Sequence, residues 1–201
     1  MKIGIFGGSF NPPHKMHKKI ANDLISLGYL DKVIFVPTGT KYEYKNNLID
    51  NKHRLKMLEV MCQKNKNLFV SNYELQDIPI YTYETLDHFK KKYSKDEIYF
   101  ICGTDNLSYI DKWKRGDYIL KNYSLLVIER NTNKTNLILE KLSKYPSHIT
   151  ITKIKEDSIS STTIREKIKD GNLDEINQYL DKEVLNYIKE KNLYNFKIKS
   201  T

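Results

Sequence analysis

Two histidines, His14 and His17, lie three residues apart in the segment IGIFGGSFNPPHKMH near the start of the chain. The pair Pro12-Pro13 presets the backbone for a first helical turn, so a helix is predicted to begin near His14 with both imidazoles on one face. Gly7 and Gly8 remove side chains where backbone amides could approach an anion. Imidazoles at a helix N-terminus can donate hydrogen bonds to a polyphosphate. The segment favours a phosphate site, although a surface histidine pair or an incomplete metal pair would use the same residues.

A second candidate anion site lies far down the chain, in the segment DSISSTTIREKIKDG. It contains four consecutive hydroxyl residues, Ser160, Ser161, Thr162 and Thr163. An N-cap needs only one hydroxyl, so the run exceeds what capping requires. Arg165 follows within the first helical turn, where its guanidinium could join the hydroxyls and free amides on a phosphate chain.

The elements that position these residues alternate along the chain. Strands are predicted from nearly continuous apolar runs at Lys2–Phe6, Lys32–Pro37, Leu68–Leu75, Glu97–Gly103, Ser124–Glu129 and Ile149–Ile154. Helical periodicity lies between them at Lys15–Leu27, Lys52–Lys64, Tyr83–Tyr93 and Lys134–Lys144, and after the last strand at Thr163–Lys169, Leu173–Leu180 and Glu183–Lys191. Thr163 and Glu166 have capping-box spacing, and Gly171 is placed to end that helix.

This alternation predicts an α/β fold with a doubly wound, mostly parallel sheet and a small C-terminal helical appendage. We expect a single domain over residues 1–201, with the core at about 1–156 and the C-terminal helices at about 157–195. The polar stretch Asn46–Asn51 is predicted to be a mobile loop.

Composition excludes several classes of protein. The 201 residues are 39% hydrophobic and carry a net charge of +9. No apolar run approaches the roughly 20 residues of a membrane span, and no signal-peptide core follows Met1, so we expect a cytoplasmic protein without a membrane partner. The lysines are scattered among acids on predicted helices, so a nucleic-acid partner is not expected. Cys62 and Cys102 are expected to be buried, reduced thiols.

The segments GIFGGSFNPPHKMH and ISSTTIR together resemble the nucleotidyltransferase superfamily with the (H/T)-x-G-H signature. Within it the chain is most similar to the bacterial nicotinate-nucleotide adenylyltransferases, over nearly its whole length. HRLKMLEVM, YTYETLDHF, YFICGTDNLSYIDKWK, LLVIER and VLNYIKEKNLY follow that family's order and spacing. The resemblance implies a Rossmann-like fold and the Mg²⁺-dependent reaction of ATP with nicotinate mononucleotide to give deamido-NAD and pyrophosphate.

The resemblance also implies roles for individual residues. The catalytic residues would be His14, His17 and Arg165, and no residue of the chain is expected to be a metal ligand. ATP would be bound by Gly7, Gly8, Ser9, Phe10, His14, His17, Gly103, Asp105, Ser160, Ser161, Thr162 and Arg165. The acceptor would be bound by Tyr81, Thr82, Trp113 and Arg130. Arg54 is a further candidate that could equally be a surface or structural ion-pair arginine.

Three positions depart from the family pattern. Met16 replaces the glycine of H-x-G-H and is expected to crowd the adenine side or shift the helix. The family's Pro-Pro-His-Lys segment is PTGTKYEYKNNL here, where Lys41 or Lys45 could supply the cation. Ile80 replaces a small polar residue before Tyr81-Thr82. All three bear on the identity of the acceptor, so nicotinamide mononucleotide, phosphopantetheine and a nucleotide-binding regulator without turnover remain alternatives.

Overall fold

The computed structural model describes residues 1–41, 48–129, 135–145, 148–155, 159–171 and 173–196. The features predicted from sequence that lie outside these residues in whole or in part are Arg130, Lys45, the first two positions of the Asn46–Asn51 stretch and the first residue of the predicted helix Lys134–Lys144. Asn51 itself opens a helix.

Six parallel strands form one sheet. They are β1 (Lys2–Gly8), β2 (Lys32–Pro37), β3 (Leu68–Val70), β4 (Glu97–Gly103), β5 (Ser124–Glu129) and β6 (Ile149–Lys155). Their order is β3-β2-β1-β4-β5-β6, and every pairing among the described strands is parallel. The predicted doubly wound α/β sheet is therefore confirmed.

Nine helices in the described part of the chain cover this sheet. They are α1 (Lys15–Ser26), α2 (Asn51–Cys62), α3 (Thr82–Lys92), α4 (Thr104–Leu107), α5 (Gly116–Asn122), α6 (Thr135–Leu142), α7 (Ser161–Lys169), α8 (Leu173–Tyr179) and α9 (Lys182–Glu190). The described ranges also contain 3₁₀ turns at Ile110–Lys112 and Leu193–Asn195.

The core lies in two layers, one on each face of the sheet. Along β2, Val33 and Phe35 join the layer that contains α1, α2, α7 and α9, whereas Ile34 and Val36 join the layer that contains α3, α5 and α6. Both faces of the strand are covered, which explains why the strand sequences are continuous apolar runs.

Several boundaries differ from the sequence-based prediction; β1, for example, ends at Gly8 instead of Phe6. β3 ends at Val70 instead of Leu75, because this edge strand pairs only with β2 and the chain then leaves the sheet. α7 begins at Ser161, and its N-cap is Ser160 instead of Thr163, since the Ser160 hydroxyl accepts a hydrogen bond from the Thr163 amide at 3.1 Å. Gly171 follows α7 with a φ of +69°, as expected of a glycine that ends a helix.

Both cysteines are buried and free. Burial raises the pKa of each thiol to about 12. Within the described ranges, no helix has the length and apolar composition needed to cross a membrane.

Candidate active site

The carboxyl ends of β1 and β4 meet at the point where the strand order reverses. β1 pairs with β2 on one side and with β4 on the other, so the chain winds outward in both directions from this pair. In sheets of this kind, ligands bind in the crevice beyond the strand ends at such a switch point. Gly8 ends β1 and Gly103 ends β4, so the residues that follow these strands are the first candidates for a site.

A cavity of about 480 Å³ opens at this edge of the sheet. It is lined by Ile5, Gly7, Gly8, Thr38, Glu74, Tyr81, Thr82, Thr85, Leu86, Phe100, Asn106, Lys112, Trp113 and Lys114. Five residues assigned from sequence to the nucleotide and acceptor sites, Gly7, Gly8, Tyr81, Thr82 and Trp113, are thus brought together. A Cβ at Gly7 would meet no atom within 4 Å, so the absent side chain leaves the cavity open.

The start of α3 forms one wall of the cavity. Tyr81 is the N-cap, and its amide donates to the Glu84 carboxylate at 2.8 Å, which fixes the first turn that begins at Thr82. Trp113, half-buried, forms another part of the wall and packs edge-on against Phe100, with ring centroids 6.1 Å apart. The cavity therefore combines a flat aromatic surface with a helix N-terminus.

The charged residues of the cavity were not identified from sequence. Lys114 places its ammonium nitrogen 4.0 Å from the centroid of the Tyr81 ring, and Lys112 also lines the wall. Glu74 is buried and accepts a hydrogen bond of 2.7 Å from the Thr85 hydroxyl. Lys41, suggested from sequence as the cation here, is instead 3.8 Å from Asp77 and is not among the lining residues. The only feature of the sequence that could have indicated these lysines is that Lys112 and Lys114 flank Trp113 directly.

The histidine pair lies beside this cavity, at the N-terminus of α1. His14 is the N-cap and only 3% exposed, and its ring stacks on His17 at 3.7 Å between centroids. The His14 amide donates to Nδ1 of His17 at 3.1 Å. Since Nδ1 accepts this bond, the neutral His17 ring carries its proton on Nε2, which is thus a hydrogen-bond donor.

Aromatic rings hold His17 from the side of the sheet. The Phe10 ring lies edge-on to the imidazole at 5.0 Å, and the Phe6 ring lies at 6.0 Å. Phe10 adopts a positive φ of 46°, and its ring folds back over Gly8, where an added Cβ would come within 3.0 Å of it. A side chain at Gly8 would therefore press against the Phe10 ring, which in turn packs against the imidazole.

Three side chains hold the carbonyl groups of the loop Ser9–Pro13, which joins β1 to α1. The Arg54 guanidinium donates to the Ser9 carbonyl at 2.9 Å, Arg165 donates to the Asn11 carbonyl at 2.7 Å, and the Ser161 hydroxyl donates to the Pro12 carbonyl at 2.9 Å. α2 and α7 thus position the histidine-bearing segment, and the two candidate anion sites are in direct contact through these bonds.

Arg54 is neither a surface residue nor half of a surface ion pair. It is 0% exposed and also donates to the Ile49 carbonyl at 3.1 Å and to the Asn51 side chain at 2.5 Å. Burial lowers the pKa of its guanidinium. Its role in this structure is to tie the start of α2 to the loop.

The remaining predicted ATP-binding residues lie around the same edge. Gly103 caps α4, and Asp105 is exposed in the first turn of that helix. Thr162 accepts a hydrogen bond of 3.1 Å from Arg165. Hydroxyls and guanidinium at the start of α7 are therefore engaged with one another and with the loop.

A second cavity, of about 720 Å³, lies between α1, α7 and α8. Its lining includes Met16, which is only 6% exposed and packs in the core layer of α1. Three lysines also line it, but Lys15 donates to the Asn177 carbonyl at 2.8 Å, Lys19 pairs with Asp23, and Lys167 pairs with Glu175. Because each ammonium already has an acceptor, this cavity offers less unpaired charge than its composition indicates.

The described residues contain no cluster of three or more histidine, cysteine or acidic side chains able to hold a metal ion.

Comparisons with known proteins give the family of the chain and several relatives of similar length. Residues 5–167 match the cytidylyltransferase-like family. The chain is 35% identical over 198 residues to a probable nicotinate-nucleotide adenylyltransferase of Carboxydothermus hydrogenoformans, covering 96% of this chain and 98% of that one. It is 36% identical to the protein of the same name from Caldicellulosiruptor bescii, covering 96% and 99%.

A solved structure has the same fold. It is the Plasmodium falciparum nicotinic acid mononucleotide adenylyltransferase complexed with NaAD, with a TM-score of 0.82, 24% identity and coverage of 98% of both chains. The likeness extends over the sheet and its helices together.

Proposed function

This chain belongs to the cytidylyltransferase-like family and, within it, to the nicotinate-nucleotide adenylyltransferases, and we propose that its switch-point site transfers the adenylyl group of ATP to nicotinate mononucleotide. The products are deamido-NAD and pyrophosphate, a step in NAD biosynthesis. The observation that carries the proposal is that Gly7 and Gly8 of β1, Trp113 and the Tyr81-Thr82 turn all line the same cavity.

The reaction is an in-line displacement at phosphorus. A 5′-phosphate oxygen of the mononucleotide forms a bond to the α-phosphorus of ATP, and the bond from that phosphorus to the bridging oxygen breaks, with its electron pair leaving on pyrophosphate. No protein nucleophile is needed, so the protein contributes positioning and stabilisation of charge. Mg²⁺ enters as part of the substrate MgATP and offsets the charge of the phosphates.

The residues around the histidine pair serve the ATP phosphates. Nε2 of His17 donates to a phosphate oxygen as charge grows on the leaving pyrophosphate, and His14 supports it from the stacked position. The backbone of Gly7, Gly8, Ser9 and Phe10 lines the junction of the two nucleotides, with Gly103 and Asp105 at the ribose. Ser160, Ser161, Thr162 and Arg165 complete the triphosphate side.

The acceptor occupies the cavity beneath Trp113. Its pyridine ring stacks on the indole, and its carboxylate meets the amides and hydroxyl at the start of α3, where the helix dipole favours an anion. Arg130 is proposed for the acceptor phosphate. The two lysines beside Trp113 add positive charge to the same wall.

Release of pyrophosphate from MgATP tests the proposal directly. Nicotinate mononucleotide, nicotinamide mononucleotide and phosphopantetheine are offered separately, with ATP alone as the control. We expect strong preference for nicotinate mononucleotide. If no pyrophosphate is released with any of the three acceptors although ATP binds measurably, the proposed acceptor is excluded and a regulatory nucleotide-binding protein is indicated.

Replacing Trp113 by alanine is expected to raise the KM for the mononucleotide. Loss of one stacking interaction corresponds to about 1–3 kcal/mol, or roughly fivefold to a hundredfold. Trp113→Phe, which keeps an aromatic face, serves as the matched control and should change KM much less. A change confined to the affinity for ATP would remove Trp113 from the acceptor site.

Replacing Lys114 by glutamine is expected to reduce discrimination between acid and amide. Its ammonium stands over Tyr81 at the cavity wall, where it attracts a nicotinate carboxylate but not a neutral amide. Exposed charge pairs contribute about 0.2–1 kcal/mol, so the ratio of kcat/KM for the two mononucleotides should fall by a factor between about 1.4 and 5. Lys56→Gln on the exposed face of α2 is the control, and an equal ratio in both variants would contradict this role.

A further inference from the structure

The C-terminal end of the described chain reaches the loop that carries the histidines. Tyr194, in the 3₁₀ turn after α9, donates its hydroxyl to Oδ1 of Asn11 at 2.9 Å, across 183 residues of sequence. Asn11 is 2% exposed and immediately follows Phe10, which packs on His17. A residue far from the nucleotide motifs in sequence is thus connected to them by one hydrogen bond.

The backbone on both sides of this bond is in the left-handed region. Tyr194 has a φ of +62° and Asn195 a φ of +56°, and Phe10 on the loop side has a φ of +46°. Residues other than glycine disfavour this region, and they persist there where surrounding contacts determine their position. Two such segments meet at the contact between Tyr194 and Asn11, which indicates that the contact is part of what holds the loop.

The environment of Tyr194 keeps its hydroxyl a donor. Burial raises the pKa of the phenol, while the charges of Arg165 and Arg54 oppose this rise. The same two arginines hold the carbonyls of Asn11 and Ser9. The phenol therefore stays protonated and lies among the groups that fix the loop.

Several contacts besides this hydroxyl attach the C-terminal helices to the rest of the protein. α9 is attached to α2 by a hydrogen bond of 2.9 Å between His53 and the Tyr187 hydroxyl, and to the turn after α2 by the Lys64–Glu183 ion pair at 2.6 Å. Asp181, the N-cap of α9, pairs with Lys18 of α1 at 3.1 Å. The Tyr194 hydroxyl can therefore be removed while these other contacts remain to attach the C-terminal unit, which consists of α8, α9 and the 3₁₀ turn Leu193–Asn195.

We propose that Tyr194 is a positioning residue for the nucleotide site, which acts by holding the Asn11 side chain and through it the loop Ser9–Pro13 and the histidine pair. The proposal rests on the proposed function for its kinetic readout. It assigns the C-terminal turn a part in ATP binding and turnover. The acceptor cavity is lined by Gly7 and Gly8 but not by Ser9–Pro13, and the histidine pair serves the ATP phosphates, so the effect falls mainly on ATP.

The test compares Tyr194→Phe with Tyr187→Phe. Both variants delete one phenol hydroxyl from the same C-terminal unit, but only the first removes a contact with the loop. We expect Tyr194→Phe to lower kcat/KM for ATP about threefold to tenfold, the range of one net hydrogen bond, with KM for the mononucleotide unchanged within about twofold. Tyr187→Phe should leave both constants at the wild-type values and have a similar melting temperature.

A double-mutant cycle with Asn11→Ala identifies the route of the effect. In the Asn11→Ala background, Tyr194→Phe should cause little further change, because its partner is already absent. Equal kinetics for the two tyrosine variants, a parallel rise in KM for both substrates, or effects that multiply in the cycle would each overturn the proposal. If the wild-type protein releases no pyrophosphate with nicotinate mononucleotide, the proposed function fails, and titration of the same variants with ATP alone still decides whether Tyr194 positions the loop.

Discussion

Substitution of His17 by alanine is expected to lower kcat at least a hundredfold while the protein remains folded. The imidazole is held before any substrate arrives, because Nδ1 accepts the His14 amide and the ring packs between His14 and Phe10. Nε2 is therefore a preorganised donor, and removal of one such donor from a site of developing charge typically costs about 10²–10³ in kcat. Steady-state release of pyrophosphate from MgATP and nicotinate mononucleotide measures the effect.

His53→Ala is the matched control for this substitution. His53 also lies in the first turn of a helix, and its ring is hydrogen-bonded to the Tyr187 hydroxyl, which is not among the residues that line the cavity or form the loop. Its removal should leave kcat within about twofold of the wild-type value, since substitutions away from specific features have small effects. Equal rates for His17→Ala and wild type, with thermal unfolding intact, would exclude His17 from the mechanism.

The fold could largely be predicted because strands that are buried on both faces of a sheet have continuous apolar sequences. β2, β4 and β5 have the predicted bounds, and all three are continuous apolar runs in the middle of the sheet. The predicted length of β3 was too long because Tyr73 and Leu75 continue its apolar pattern after the chain has left the sheet at Val70. There the segment packs instead against Gly39, where an added Cβ would lie 2.4 Å from the Glu74 carbonyl.

The short helices α4 and α5 could not be predicted from periodicity. α5 has seven residues and begins after Arg115, which has a left-handed φ of +55°. Its first residue, Gly116, fits only without a side chain, since a Cβ would lie 1.8 Å from the Ile110 carbonyl. Such a turn depends on tertiary contacts, and these contacts place Trp113 and Lys114 at the cavity.

The glycines, histidines and hydroxyl residues of the candidate site could be identified because their types and spacing are unusual. The places that Arg54 and Lys114 occupy in the structure could not be predicted from sequence, because a basic residue on a helix or in a loop is usually solvated. Only the topology brings the start of α2 against the loop Ser9–Pro13 and makes Arg54 an interior residue. Ile80, which departs from the family pattern, is also an interior residue, because the fold buries its side chain.

Replacement of Arg54 by methionine is expected to give the largest loss of stability among the substitutions considered. Methionine fills a similar length of the site, but it leaves the carbonyls of Ser9 and Ile49 without their donor in the interior. Hydrogen bonds from a charged group are worth about 1.5–3 kcal/mol, and each buried acceptor left unsatisfied costs about 1–3 kcal/mol. Allowing for relaxation of the loop, we expect the free energy of unfolding to fall by about 2–4 kcal/mol, or roughly 5–15 °C in melting temperature for a chain of this size.

Two further variants separate the role of the guanidinium from that of charge and of helix α2. Arg54→Lys keeps the positive charge but not the planar set of donors, so it should recover only part of the lost stability. Lys56→Met removes an exposed cation from the same helix and should change the free energy of unfolding by less than about 0.5 kcal/mol. A melting temperature for Arg54→Met close to that of Lys56→Met would show that the loop is held without Arg54. A large loss with little recovery in Arg54→Lys would instead demonstrate that the forked geometry, which reaches two carbonyls at once, is what joins α2 to the histidine-bearing loop.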